Sequence, residues 1–332
     1  MSAPLIDPAK NSLRIAILAY DGCMGTQVFG IADVLRIGSD IARGFGETRP
    51  QPFDVHVIAL TRRQVTLAGG IVIGAKRPAG RFDLLIVPGL EISQQVDWDE
   101  KLGPLSRELA YIRKSFAAGT PVASACIGAF LLGEAGLLSG RKVTTAWLFA
   151  DDLARRYPAA QVQPAAVFLE DAGVTTTGAV SAAFDLAIHL VKRTLGAPAA
   201  LATARVTMLP SQRESQSPFA DPQLMARNLP AFSQYLSAWF NDRLQQPYDL
   251  PRVALAFHVS ASTLLRRVKA ETGQSPLTLL QRARVEKARQ LLRQTSWSIA
   301  RITEAVGYVD INSFSRLFVR WVGETPARYR RR

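Results

Sequence analysis

The chain has 332 residues, 48% of them hydrophobic and 20% charged, and a formal net charge of +13. This length and balance provide for two domains with cores of their own and exclude a disordered or fibrous chain, while two cysteines exclude a disulfide framework. No apolar run reaches the roughly eighteen residues a bilayer span needs, and no charged-then-apolar leader opens the sequence, so a cytoplasmic protein without a membrane partner is expected.

In chain order, short apolar runs alternate with helical periodicity. Strands are predicted at residues 14–20, 53–60, 84–87, 121–125 and 174–177, and helices at 26–37, 103–118, 129–135, 150–157 and 180–195. Residues 67–73 are expected to add a hairpin strand beside 53–60. The alternation predicts a flavodoxin-like α/β sandwich around a largely parallel sheet. Binding sites in such sheets lie beyond the carboxyl ends of the strands, which directs attention to the loops at 21–25, 88–90 and 126–128.

Cys126 stands where an apolar strand runs into a helix-prone segment, with small residues on both sides (Ala123-Ser124-Ala125-Cys126-Ile127-Gly128-Ala129). That pattern permits the sharp turn of a nucleophile elbow. A thiol exposed at the start of a helix is pushed toward thiolate; the other reading is a small buried hydrophobe. The backbone N–H groups of Ile127 and Gly128 beside it suit an anion. A nucleophilic cysteine also needs a base. His56 falls within a strand and His189 mid-helix, both read as structural. No cluster has metal-ligand spacing and no phosphate-binding glycine loop follows a strand, so no cofactor is expected.

Residues 208–223 are rich in Pro, Ser and Gln and read as an exposed, flexible linker. The domains are drawn at 1–207 and 229–332, with the linker at 208–228. Helical periodicity resumes over 229–246 (Phe232, Tyr235, Leu236, Trp239, Phe240, Leu244), as a core stripe or, alternatively, a partner-binding one.

The last third repeats itself. Moved forward fifty positions, Ser260 falls on Asp310, Thr263 on Ser313, Leu264 on Phe314, Arg266 on Arg316 and Val268 on Phe318. Before the turn the offset is forty-nine, pairing His258 with Gly307. Two copies of one supersecondary unit produce such an offset. Each copy has a short helix (250–257, 298–306), a tight turn, a polar N-cap (Ser260, Asp310) and an apolar-striped second helix, the pattern of a helix-turn-helix. Such a unit lays its second helix in the DNA major groove. Ser262, Leu265 and Arg266 in the first copy, and Ile311, Asn312, Ser315 and Arg316 in the second, are expected to face base edges. Between the copies, residues 277–294 form a predicted helix spanning roughly 27 Å, near the roughly 34 Å between successive groove faces. Charge follows the repeat. Residues 250–332 carry sixteen Lys and Arg against five Asp and Glu, whereas the preceding 249 residues have a net charge of only +2. A basic block confined to this region is the footprint of phosphate contact, and double-stranded DNA is the expected partner.

Two resemblances account for nearly the whole chain. Residues 232–332 resemble the AraC/XylS family of bacterial transcription factors, through Ser298 to Tyr308, Phe314-Ser315-Arg316-Leu317-Phe318 and Gly323-Glu324-Thr325-Pro326-Ala327-Arg328-Tyr329-Arg330. His258 departs from the glycine usual in the first turn, and Thr303 from the usual alanine. The first part resembles the PfpI-like branch of the class I glutamine amidotransferase-like superfamily, through Tyr20-Asp21-Gly22, residues 82–89, the Cys126 elbow, residues 134–141 and residues 177–196. The position resembling that family's catalytic acid is Gln27, and the one resembling its histidine is Ala146. Joined in this order, the two are similar to GlxA-type AraC regulators. That resemblance implies a non-enzymatic sensor domain, a small-molecule effector such as an amino acid or small amine, and a homodimer. The effector-binding residues so implied are Cys126, Ile127, Gly128, Gly89, Gln27 and Trp147, with Phe29 and Glu91 as further candidates for a cationic ligand end. The competing reading is a Cys-dependent hydrolase or hydratase carrying a DNA-binding appendage.

Overall fold

The computed structural model describes residues 11–60, 63–91, 96–210, 213–220 and 231–331. The chain divides into two compact units, Met1–Gln216 and Ser217–Arg332.

In the first unit the elements run β1 (Leu13–Leu18), α1 (Gly25–Arg43), β2 (Phe53–Ile58), β3 (Gln64–Thr66), β4 (Val72–Gly74), β5 (Leu84–Val87), α2 (Trp98–Leu102), α3 (Ser106–Ala117), β6 (Val122–Ser124), α4 (Gly128–Glu134), β7 (Lys142–Val143), α5 (Ala150–Arg156), β8 (Gln161–Val162), β9 (Phe168–Asp171), β10 (Val174–Thr177) and α6 (Ala182–Val206). Six strands form one sheet in the order β2-β1-β5-β6-β10-β9. Every pairing in it is parallel except β10 with β9. β1, β5 and β6 are buried along their lengths (Ile15, Ile17, Leu84, Ile86, Val122, Ala123), as continuous apolar strands covered on both faces must be. This is the expected flavodoxin-like architecture, with the carboxyl ends of β1, β5 and β6 converging on one edge.

Several elements differ from the sequence reading. The stretch at 67–73 adds no strand beside β2. β3 and β4 pair with each other across a 3-10 turn at Ala68–Gly70, because Gly69 and Gly70 take positive φ and reverse the chain there. The helix predicted at 103–118 begins only at Ser106, after a 3-10 turn at Gly103–Leu105 that holds Pro104, and the short α2 before it was not anticipated. α6 runs on to Val206 through a break at Gly196, where φ is 88° and ψ 165°. The edge strand β9 was not anticipated.

The linker expectation needs the largest correction. Residues 213–216 are fastened to the first unit. Arg213 pairs with the Asp185 carboxylate and donates to the Ser181 hydroxyl at 2.8 Å. Gln216 is 4% exposed, and its amide nitrogen donates to the carbonyls of Thr145 (2.8 Å), Pro164 (2.9 Å) and Ala166 (3.1 Å). Its amide oxygen accepts from the backbone N–H groups of Ala179 and Trp147. One residue later the chain belongs to the second unit, where Arg289 donates to the carbonyls of Pro218 and Ala220. Polar composition suggested solvent exposure; these polar groups are instead spent on backbone partners. The parts of the predicted linker at 211–212 and 221–228 lie outside the described residues.

The second unit contains α7 (Ala231–Asn241), α8 (Leu250–Ala256), α9 (Ala261–Thr272), α10 (Pro276–Gln294), α11 (Ile299–Ala305), α12 (Ile311–Val322) and α13 (Pro326–Arg330). It has two small cores. Leu236, Phe240, Val253, Leu264 and Val268 close on Leu279 and Leu280 of α10, and Ile302, Val306, Phe314 and Phe318 close on Val285, Ala288 and Leu292 of the same helix. Among the described residues, no helix of the chain is long and apolar enough to cross a membrane.

Candidate functional site

The elbow forms where the sequence places it. Cys126 has φ 55°, a conformation costly for a residue with a Cβ and characteristic of functional turns. Its carbonyl accepts from the Thr145 hydroxyl at 3.0 Å. Gly128 lets the following helix approach β5, since a Cβ there would lie 2.5 Å from the Val87 carbonyl oxygen and 2.8 Å from that of Pro88. The site residues Gln27, Gly89, Cys126 and Ile127 come together. Gln27 is fully buried and its Oε1 accepts from the Gly89 N–H at 2.6 Å. A Cβ on Gly89 would meet Ile127, the Ala125 carbonyl and Gln27 at 3.2–3.3 Å.

The thiol is not exposed. Cys126 is 7% exposed, and burial pushes its pKa up to about 11 despite the Ile127 N–H and the Gln27 side chain, which favour thiolate. Desolvation thus outweighs the helix-start effect. Gly128 offers no free donor to a ligand, because its N–H donates to the Ala125 carbonyl at 2.9 Å. Trp147 is brought in through its backbone, which donates to Gln216 at 3.3 Å, two residues after the Thr145 that holds the elbow. Gln27 Nε2 is buried and finds no partner in hydrogen-bond geometry among the described residues. Phe29 is 44% exposed, and the Glu91 N–H donates to the Gly22 carbonyl at 2.7 Å.

Sequence reasoning missed Tyr20, whose hydroxyl donates to the Pro88 carbonyl at 2.5 Å, and Thr145 and Gln216. Glu108 is also buried, and desolvation raises its carboxyl pKa. Nothing local in the sequence marks these residues, since their partners lie tens of residues away.

Both histidines are occupied elsewhere. His56 on β2 meets the Asp54 carboxylate at 2.7 Å, and His189 on α6 packs against Phe168 with ring centroids 4.6 Å apart. Burial first, then the cationic Arg193 and Lys192, push the His189 pKa down from 6.5 to about 4. Glu170, at 3.9 Å, is too distant to reverse that. Between pH 6.5 and 4 the unfolded chain therefore binds a proton that the folded chain refuses. Stability is full above pH 6.5 and declines as pH falls toward 4, by about 2 kcal/mol at pH 5. Thermal melts at pH 7 and 5 should show a larger drop for the wild type than for His189→Gln; equal drops refute the assignment.

In the second unit the duplication extends to the caps. Ser260 and Asp310 accept from N–H groups at the starts of α9 and α12. Gly273 and Gly323 close those helices in the left-handed region, and Ser275 and Thr325 cap the helices that follow. His258 adopts φ 53° at the turn position where Gly307 has φ 79°, so the first turn forms without glycine.

The expected DNA-facing side chains are largely outward. Ser262, Leu265, Arg266, Ile311, Asn312 and Arg316 are exposed, and Ser315 is half-buried. The Ser262 hydroxyl is shared with the Ser260 cap at 2.9 Å. The adjacent arginines differ in the contacts of Arg267. Arg267, itself exposed, lies with its guanidinium 4.0 Å from the Phe232 ring centroid and its Nε 3.0 Å from the Glu271 carboxylate. On α12, Val319 and Arg320, absent from the sequence reading, are exposed one turn beyond Ser315 and Arg316.

Comparison with known proteins agrees with this two-part organisation. A DJ-1/PfpI family model matches residues 13–193 and a helix-turn-helix domain model matches residues 253–332. The HTH-type transcriptional regulator GbdR of Pseudomonas aeruginosa is 24% identical over 331 residues, covering 98% of this chain and 86% of that protein. The HTH-type transcriptional regulator GlxA of Rhizobium meliloti is 28% identical over 223 residues, covering 67% of this chain and 68% of its own length. The crystal structure of an AraC family transcriptional regulator from Pseudomonas putida matches 59% of this chain and 99% of that one, at 21% identity and a TM-score of 0.47. The chain belongs to the DJ-1/PfpI family, and its first unit is followed by an AraC-type helix-turn-helix domain, the composition of the GlxA-type DNA-binding transcriptional regulators.

Proposed function

We propose that the first unit is a non-catalytic sensor, in which a small molecule bound beside Cys126 controls how the second unit engages its operator. The observation that carries the sensor reading is Gln27. It is a fully buried amide with one end fixed by Gly89 and the other, Nε2, lacking a hydrogen-bond partner among the described residues. A buried donor left unpaired costs about 1–3 kcal/mol, which a ligand carbonyl or carboxylate oxygen recovers. The ligand-binding residues are Gln27, Gly89, Cys126, Ile127 and Trp147, with Gly128 shaping the wall. An amino acid or small amine fits the resemblance, and the regulator acts as a homodimer.

The state of Cys126 argues against nucleophilic catalysis. With a pKa of about 11, on the order of one thiol in ten thousand is ionised at pH 7. Gln27 carries no titratable group to act as acid or base, and Ala146 occupies the position where the family's enzymes often carry histidine.

The signal has a short route. Thr145 holds the Cys126 carbonyl through its hydroxyl and Gln216 through its own carbonyl, and Pro218 is held by Arg289. A ligand that shifts the Thr145 segment acts on the Gln216 anchor at the end of the first unit. Control requires that the ligand bind one arrangement more tightly than another.

The test is a thermal-shift screen of the full chain against free amino acids and small amines, followed by operator binding with each hit. A true effector raises the melting temperature and changes operator affinity, and Gln27→Leu removes both effects. A hit that stabilises Gln27→Leu as well as the wild type refutes the site. Cys126-dependent turnover of any hit refutes the non-catalytic reading.

A further inference from the structure

The two helix-turn-helix cores share α10, with Leu279 and Leu280 in the first and Val285, Ala288 and Leu292 in the second. Arg284 sits at the boundary between them and is 6% exposed. A guanidinium so buried needs partners, and it takes them from both cores. Its Nε donates to the Leu244 carbonyl at 2.9 Å and an Nη to the Gln246 carbonyl at 2.7 Å, both in the loop after α7. Its Cζ lies 5.1 Å from the centroid of the Tyr308 ring, in the turn of the second helix-turn-helix. The same two segments meet directly, because a Cβ on Gly307 would lie 2.2 Å from the Leu244 carbonyl oxygen and 2.8 Å from the Arg284 guanidinium. The two units are thus pinned at a second place besides the helix that joins them.

We propose that Arg284, seated against Gly307 and Tyr308, is a positioning residue that fixes the separation of the two recognition helices, and with it the half-site spacing the protein accepts. A single helix resists bending but leaves each small core free to rock about it; the pin removes that freedom. The fork of a guanidinium reaches two carbonyls while stacking on a ring, which neither lysine nor methionine can do. The exposed Arg266 and Arg316 read bases, whereas Arg284 touches no DNA and acts through their placement. A residue that merely stabilised the fold would weaken every complex equally.

The inference rests on the DNA-binding reading of both units, and the experiment separates the two. Full-length protein selects its operator from a random duplex pool. Affinity is then measured for duplexes carrying the selected half-sites at native spacing, at one base pair less or more, and for a duplex with a single half-site. For the wild type, a one-base-pair change should cost roughly 10–100-fold, the range of a strong mismatch. For Arg284→Met the penalty should shrink to within about threefold while single half-site binding stays within about twofold of wild type. Tyr308→Leu, which leaves both carbonyl hydrogen bonds in place, should shift the ratio the same way and carries the test if Arg284→Met does not fold. Wild-type spacing discrimination in the folded variants overturns the proposal. No specific duplex emerging from the selection overturns the DNA-binding reading instead.

Discussion

Truncating Phe318 to alanine should cost about 3–5 kcal/mol and remove one of the two DNA-reading elements. Phe318 is fully buried and packs between Phe314 and Tyr329, with ring centroids 5.7 and 5.6 Å away. The core it belongs to is small, so no neighbouring layer can collapse into the space. α12 is held by one face only (Phe314, Leu317, Phe318 and Val322), because its outer face, from Ile311 through Arg316 to Arg320, is turned to solvent. Chemical denaturation should show an early transition in the variant, and footprinting should show one half-site lost and the other kept. Protection of both half-sites at wild-type protein concentrations contradicts this picture of a small, self-contained core.

The second large effect concerns recognition. Arg266→Ala and Arg316→Ala should each relax base preference at a different half-site, at about 1–3 kcal/mol apiece if each makes a bidentate guanine contact. The two positions belong to separate cores and share no partner, so their effects should add, leaving the double variant roughly 30-fold or more weaker on its selected operator. Folding should be unaffected, since both side chains are exposed. Arg267→Ala is the control. Its guanidinium is engaged by Phe232 and Glu271, so it should lower the melting temperature and leave base preference alone. If Arg267→Ala changes sequence preference and Arg266→Ala does not, the orientation of α9 on DNA is wrong.

The contrast between adjacent arginines marks the limit of what the sequence made legible. The repeat was readable because capping residues, apolar spacing and closing glycines are local signals, and each recurs at the same offset. The parallel strands were readable because they are short apolar runs bounded by turn residues. β9 was not, because Phe168-Leu169-Glu170-Asp171 is a half-exposed edge strand with two acids in four residues. The elbow at Cys126 was legible from its small neighbours, but the thiol's burial was not. Exposure depends on what covers a turn, and the sequence does not say which side chains will. Gln216 is the extreme case. It sits among Pro, Ser and Glu in a stretch with every mark of a linker, yet its amide satisfies three carbonyls 50–71 residues away. Composition reports how polar a segment is, not whether its partners are water or backbone.

That anchoring changes where the protein can be divided. A cut at Thr207, where helical periodicity ends, removes the amide that serves Thr145, Pro164 and Ala166 and the guanidinium that pairs with Asp185. The truncated piece would carry exposed backbone carbonyls next to the elbow and a missing counter-ion on α6. An excised sensor should therefore extend through Gln216, and an excised DNA-binding piece should begin at Ser217 so that Arg289 keeps Pro218 and Ala220. The boundary between the two compact units falls between Gln216 and Ser217, and grafting the first unit onto another reader would have to preserve the residues on both sides of it.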